Sequence, residues 1–298
     1  MPQALYEEVQ CKTALTRVRG MAFGWSLNPY RGCTHGCHYC FARSTHFFYD
    51  LNADEEFSSI VFVKANIADV LRLELSAPSW RRHRVVIGTA TDPYQPIEGK
   101  YRLTHDALEA FLAFRTPVSI ITKSSLVVRD ADILAELAMS LGCTVNFSIT
   151  TLERTLWREL EPGTAPPEQR LRAMQRLAAL GVHTGVLLAP IIPGLTATKE
   201  NLESVARAAA EHNACFLAAN VLNLGVGVKE HFLQYLRTEH PGLLGTYRQL
   251  YPGRYAADRY TEPLYDYVTL LQQRYALDKR ELTHSPRPEP EQLPLGIM

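Results

Sequence analysis

Three of the six cysteines, Cys33, Cys37 and Cys40, fall in the stretch NPYRGCTHGCHYCF that runs from Asn28 to Phe41. Thiols separated by three and then two residues can wrap three corners of an iron–sulfur cubane and leave the fourth iron without a protein ligand. An open position is what a metal centre needs if it is to act on a bound molecule rather than only hold a fold together. The competing chemistry is structural zinc, which wants four ligands. His35 or His38 could supply the fourth, but zinc motifs usually pair two such arms and no second arm follows. Cys11, Cys143 and Cys215 stand alone and far apart and are expected to be inert buried thiols, since free cysteine is among the most buried residue types.

Behind the cysteine loop, short β-branched runs alternate with longer segments of helical period, the signature of βα units around a parallel sheet. The runs Ile60–Val63, Val85–Thr89, Val118–Thr122, Thr144–Thr150, Thr184–Leu188 and Phe216–Leu222 read as strands. Between them, Ala65–Leu75, Thr104–Phe114, Asp130–Leu141, Pro167–Leu180, Thr198–Glu211 and Lys229–Thr238 carry apolar residues at helical spacing. Thr104 is placed as a cap and Pro167 in a first turn. No glycine-rich dinucleotide fingerprint follows the first strand, so the repeat favours a full or partial (β/α) barrel, whose reactive groups sit at the C-terminal ends of the strands. Those ends here, from Thr89 to Tyr94, Thr122 to Ser125, Ser148 to Thr151, Ala189 to Gly194 and Ala219 to Asn223, are rich in hydroxyl, amide and small residues. Capping and turn chemistry accounts for any one of them, but less readily for five in succession.

The 31 basic residues cancel the 31 acidic ones, which argues against a strongly basic nucleic-acid binder. No run approaches the roughly 18 apolar residues of a membrane span; Gly185 to Leu195 is broken by Pro190 and Pro193. Glu7 and Glu8 stand where a signal peptide needs basic and then apolar residues. With thiols crowded as in a metal site, the expected location is cytoplasmic, with no membrane partner. The organisation expected is an N-terminal extension at 1–20, a barrel at 21–242, a helical segment at 243–284 and a flexible tail at 285–298. In the helical segment Tyr247, Tyr251, Tyr255 and Tyr260 alternate with arginines. Packing across the barrel is the favoured reading of those rings, and a stacking surface for bases the alternative.

The words GCTHGCHYCFAR, VIGTATDPYQPIE, ITKSS, NFSITT, LEPGTAPPEQRL and LLAPIIPGL, in that order between Asn28 and Asn223, resemble the radical S-adenosylmethionine superfamily. Within it they are similar to uncharacterised proteins grouped near the spore photoproduct lyases. The resemblance implies an α/β fold, a partial (β/α)6 barrel with a helical C-terminal extension. It implies a [4Fe-4S] cluster on Cys33, Cys37 and Cys40, and S-adenosylmethionine chelating the open iron. Reductive cleavage of that cofactor to a 5′-deoxyadenosyl radical, acting on an unidentified organic substrate, follows by the same resemblance, with a flavodoxin- or ferredoxin-type reductant as partner.

The resemblance also assigns the cofactor pocket. Tyr39 and Phe41 are expected near the cluster and adenine. Thr91, Lys123 and Ser148, at the second, third and fourth strand ends, match positions that contact the cofactor's methionine or ribose. Arg170 is similar to an arginine that pairs with the methionine carboxylate, a task its planar fork suits. Two departures stand out. The lyases carry a hydrogen-donating cysteine just before the serine-aspartate pair of the second strand end, where this chain has Gly88 to Asp92 without a thiol. Their relay tyrosine after the third cluster cysteine is Phe41 here, a ring with no labile O–H. DNA or nucleotide repair, with Trp80 to Arg84 as a phosphate patch, and a non-catalytic zinc protein are the alternative functions.

Overall fold

The computed structural model describes residues 4–279; the expected tail at 285–298 lies outside them. The strands, numbered in chain order, are β1 (Leu5–Val9), β2 (Leu15–Arg17), β3 (Trp25–Leu27), β4 (Tyr30–Arg31), β5 (Ile60–Lys64), β6 (Val85–Ile87), β7 (Val118–Thr122), β8 (Cys143–Ser148), β9 (His183–Ile191) and β10 (Phe216–Val221). A seven-stranded sheet runs β10-β9-β8-β7-β6-β3-β2. From β3 to β10 every neighbouring pair in it is parallel, and β2 closes the edge antiparallel to β3. Six parallel strands with helical crossovers make the partial barrel.

Each crossover buries an apolar stripe that its sequence spaces at helical period. Leu103–Ala113 buries Ala107, Leu108 and Phe111, and Ala131–Ser140 buries Leu134 and Leu137. Pro167–Ala179 buries Leu171, Met174 and Leu177, and Lys199–Glu211 buries Leu202, Val205 and Ala209. The strands they cover carry Ile120, Val145, Phe147, Val186, Leu188 and Leu217, all sealed from solvent. At about 1.5–3 kcal/mol for each such side chain, this contact dominates the favourable side of folding. Every residue of β8 is buried, as expected of a strand covered on both faces.

Three sequence expectations are corrected. The run at Ile60–Val63 is not the first barrel strand; β5 lies in a separate sheet, parallel to β1 and antiparallel to β4. The first barrel strand is β3, three residues long and too short to show a period. The cysteine loop therefore leaves from the C-terminal end of the first barrel strand. Thr104 is not a cap: its hydroxyl donates to the Pro93 carbonyl at 2.6 Å, and the Glu98 carboxylate receives the first-turn N–H of Thr104 at 3.0 Å. Cys11 and Cys215 are half-buried, and only Cys143 of the isolated thiols is buried.

Beyond the barrel, Leu244–Leu250 and Asp258–Arg274 are helical. Tyr247 and Tyr251 are buried and donate to the carbonyls of Pro193 and Leu222 at 2.8 and 2.9 Å, so these rings are packing and not a surface for bases. Trp80 and Arg84 lie at the N-terminal approach to β6, where Trp80 donates to Thr116 and Arg84 to Thr144. That is the barrel end opposite the cysteine loop. Among the described residues no helix is long and apolar enough to cross a membrane.

Candidate metal and cofactor site

The cysteine loop is pinned from three sides. From the second strand end, Gln95 donates to the Gly32 carbonyl at 3.2 Å and receives Thr34 N–H at 3.1 Å, while Thr91 donates to Gly32 at 2.7 Å. From the segment after β8, Gly163 donates to the His35 carbonyl at 3.0 Å, and Leu160 accepts from His38 N–H at 3.1 Å. A Cβ on Gly163 would stand 2.3 Å from the Thr34 carbonyl oxygen, so only glycine permits this approach. From beneath, the buried Arg43 binds the loop's own carbonyls at Gly36 and Cys37.

Asp92 joins the loop to the third strand end. Its carboxylate accepts from Tyr94 N–H at 2.9 Å, Thr122 Oγ1 at 2.8 Å and Lys123 N–H at 2.6 Å, and faces His35 Nδ1 at 3.3 Å. Burial alone would raise its pKa, but the His35 charge and these donors hold it down at about 2. The clamp sets the Lys123 backbone against the loop. Its ammonium lies over the Tyr39 ring, 5.5 Å from the centroid. Burial works against that charge; Cys37, Glu161 and Cys40 more than offset it and raise the lysine's pKa.

The three thiols are free. Cys33 and Cys37 are buried and Cys40 is half-buried. Burial raises the pKa of Cys40 and of Cys37, and thiolate repulsion within the set raises both further, while Lys123 works in the other direction. His38 points away from them: Nδ1 stands 3.1 Å from His231 Nε2, and the ring stacks on Tyr235 at 4.6 Å. Three thiols with buried cations beside them can hold an electron-rich metal centre.

The other expected pocket residues divide. Tyr39, Thr91, Lys123 and Ser148 converge on the loop or on the strand ends beside it. Ser148 is buried and donates to the Ala189 carbonyl at 2.9 Å. Phe41 is 50% exposed on the 3-10 helix after Cys40. Arg170 is sealed, and all its nitrogens are committed: Nε to the Ala165 carbonyl at 2.7 Å, Nη1 to the Ser148 carbonyl at 2.8 Å, and Nη2 to Glu161 Oε2 at 2.5 Å and to Thr164. Glu161 also accepts from the Tyr39 hydroxyl and from Thr150 Oγ1 at 3.1 Å. Sequence reading passed over Glu161, Asp92, Gln95 and Arg43, though each lies in a word that carries the resemblance. Nothing in those words marks these side chains as turned inward, so only the fold shows their role.

A partial barrel with a three-thiol loop after its first strand defines a class, and the sequence places the chain within one. The radical SAM superfamily model matches residues 27–208, and the chain belongs to that superfamily. An uncharacterised protein of Mycobacterium tuberculosis (strain ATCC 25618 / H37Rv) is 40% identical over 276 residues, 91% of this chain and 81% of that protein. A Pseudomonas phage M6 protein named radical SAM Nalpha-GlyT isomerase is 26% identical over 168 residues, 56% of this chain and 33% of that one. Among solved structures, a spore photoproduct lyase variant with bound AdoMet and dinucleoside spore photoproduct matches with TM-score 0.67 at 19% identity, covering 91% of this chain and 79% of that one. That likeness is one of fold. Membership supports radical chemistry dependent on S-adenosylmethionine, for which a reductant is generally needed.

Proposed function

We propose that the protein is a radical enzyme that holds one [4Fe-4S] cluster on Cys33, Cys37 and Cys40 and uses S-adenosylmethionine against an organic substrate. The observation that carries this reading is the placement of three free thiols at the C-terminal end of the first barrel strand, beside the cation of Lys123. The residues present fit such a cluster: the donor set is three thiols, His38 is turned to His231, and the surrounding charge is positive, as an anionic thiolate cluster requires. When bound, the cluster and cofactor supply one-electron cleavage of a carbon–sulfur bond and a 5′-deoxyadenosyl radical able to take hydrogen from an unactivated carbon.

The chain's own residues then have distinct tasks. Lys123 offers a charge-assisted contact to the cofactor carboxylate, since its ammonium lies over the Tyr39 ring of the loop and is in no ion pair among the described residues, whereas the guanidinium of Arg43 is turned to backbone carbonyls beneath the loop. Tyr39, held by Glu161, forms a rigid wall between Cys37 and Cys40. Thr91 and Ser148 line neighbouring strand ends. Arg170 acts as a positioning residue that anchors Glu161, not as a direct contact, because it is sealed from solvent and each of its nitrogens already donates to an oxygen of the protein. Phe41 presents a half-exposed ring beside the loop.

Photoproduct reversal is not the reaction proposed, because the positions that would hold its hydrogen donors read Thr89 and Phe41. Cys143 begins β8 and so lies at the opposite barrel end. The test is anaerobic incubation of reconstituted protein, reductant and cofactor with panels of metabolites and oligonucleotides. Substrate-dependent 5′-deoxyadenosine supports the reading, and none with any compound and no slow cofactor cleavage counts against it.

A further inference from the structure

Arg43 stands three residues beyond Cys40, and its side chain folds back beneath the cysteine loop instead of reaching solvent. It is 2% exposed. Nε donates to the Cys37 carbonyl at 3.0 Å and Nη2 to the Gly36 carbonyl at 2.9 Å. Nη1 donates to the carbonyls of Ala53 and Asp54 at 2.9 and 2.7 Å. All four acceptors are neutral. The guanidinium carbon lies 5.2 Å from the centroid of the Phe57 ring, another neutral surface.

What this arginine lacks is a carboxylate. Among the described residues none forms an ion pair with it; the carboxylate of Asp54 is turned to His231 Nδ1 at 2.8 Å. A guanidinium does not give up its proton in a protein, and a buried charge without an opposite charge is strongly disfavoured. The other sealed arginine shows the usual solution, because Arg170 meets Glu161 at 2.5 Å. Burial works against the charge of Arg43, and the groups that work for it are Cys40, Cys37, Asp54 and Cys33. Three of those four are the thiols of the loop.

We propose that Arg43 is the counter-ion built into the cysteine loop for the negative charge of the metal centre on Cys33, Cys37 and Cys40, and that it thereby raises the centre's reduction potential. The inference rests on the cluster reading above. Each electron added makes a thiolate-bound centre more negative, so a fixed cation in a low-dielectric setting favours the reduced state over the oxidised one. The same hydrogen bonds orient the peptide groups of Gly36 and Cys37, which makes Arg43 a positioning residue as well as a fixed charge.

The experiment is an anaerobic redox titration of the reconstituted full chain, followed by the electron paramagnetic resonance of the reduced cluster, in wild type, Arg43→Gln and Arg43→Lys. The signal arises only from cluster-bearing molecules, so partial loading does not blunt the comparison. The midpoint of Arg43→Gln is expected to fall below that of wild type, and Arg43→Lys, which keeps the charge, to lie nearer wild type than the glutamine variant does. A cluster kept by Arg43→Lys and lost by Arg43→Gln supports the same conclusion, since only the charged variant holds it. Equal midpoints in wild type and Arg43→Gln overturn the proposal, as does a lysine variant as low as the glutamine one. Loss of the cluster from both variants also overturns it, by making the carbonyl contacts and not the charge the requirement. Failure of the wild type to take up iron and sulfide is a different result, and it falls on the cluster reading.

Discussion

Glu161 Oε2 lies 2.5 Å from Arg170 Nη2, with both side chains sealed from solvent. The same carboxylate receives the Tyr39 hydroxyl, so the residue between Cys37 and Cys40 is tied through one group to the helix behind the fourth barrel strand. The sealed pair sets the height of Tyr39 against the thiols.

Glu161→Gln leaves Arg170 buried without its countercharge, and the cluster-free chain is expected to lose about 3–5 kcal/mol in urea unfolding at neutral pH. Burial raises the pKa of Glu161, but Arg170, Lys123 and Tyr39 outweigh it and hold it below the usual glutamate value. Its contribution is therefore complete above the unfolded value of about 4.3 and fades as pH falls through the lower folded value. The gap between wild type and variant should narrow on acidification below that point. Arg170→Met added to the variant should cost little more, because the two charges then leave together. A gap under about 1 kcal/mol, the size of an exposed pair, would remove the anchor role.

Replacing Cys33, Cys37 or Cys40 singly by Ala should abolish cluster uptake, while the same change at Cys11, Cys143 or Cys215 should leave it. Iron and sulfide per chain after reconstitution decide the matter. An auxiliary centre would show itself as excess iron that disappears with one of the isolated cysteines.

Lys123→Met should weaken S-adenosylmethionine binding about 10- to 150-fold, the equivalent of a charge-assisted bond of about 1.5–3 kcal/mol, with iron retained. Equilibrium dialysis of the loaded protein measures it. Unchanged affinity would move the carboxylate contact to another residue.

The cofactor should be spent and not regenerated. Counting 5′-deoxyadenosine against product, once a substrate is in hand, should give about one per turnover, since neither Thr89 nor Phe41 offers a weak bond to hydrogen. Many products per cofactor, or efficient repair of a photoproduct dinucleotide, is the opposite outcome.

Much of this was legible in the sequence, for identifiable reasons. The helices were, because burying one face imposes a period: Pro167–Ala179 and Lys199–Glu211 fall within a residue of their expected bounds. The grouping of three thiols was legible too, because their spacing confines them to one loop, where the structure keeps all three free. The first barrel strand was not legible: three residues of β3 carry no period, while the β-branched run at Ile60 mimics a barrel strand and pairs with β1 instead. Arg170 could be found but its partner could not, since nothing in LEPGTAPPEQR says that Glu161 turns inward to meet it. Arg43 was hidden for the same reason, because a basic residue after a motif reads as solvated until its carbonyl contacts are seen.

The central claim is tested most directly by reconstituting the chain with iron and sulfide under anaerobic conditions, adding reductant and S-adenosylmethionine, and measuring metal, sulfide and 5′-deoxyadenosine in the same sample. About four iron and four sulfide per chain, with 5′-deoxyadenosine formed by wild type and absent from Cys37→Ala, is the result predicted. One zinc per chain, with no sulfide and no 5′-deoxyadenosine, would contradict it.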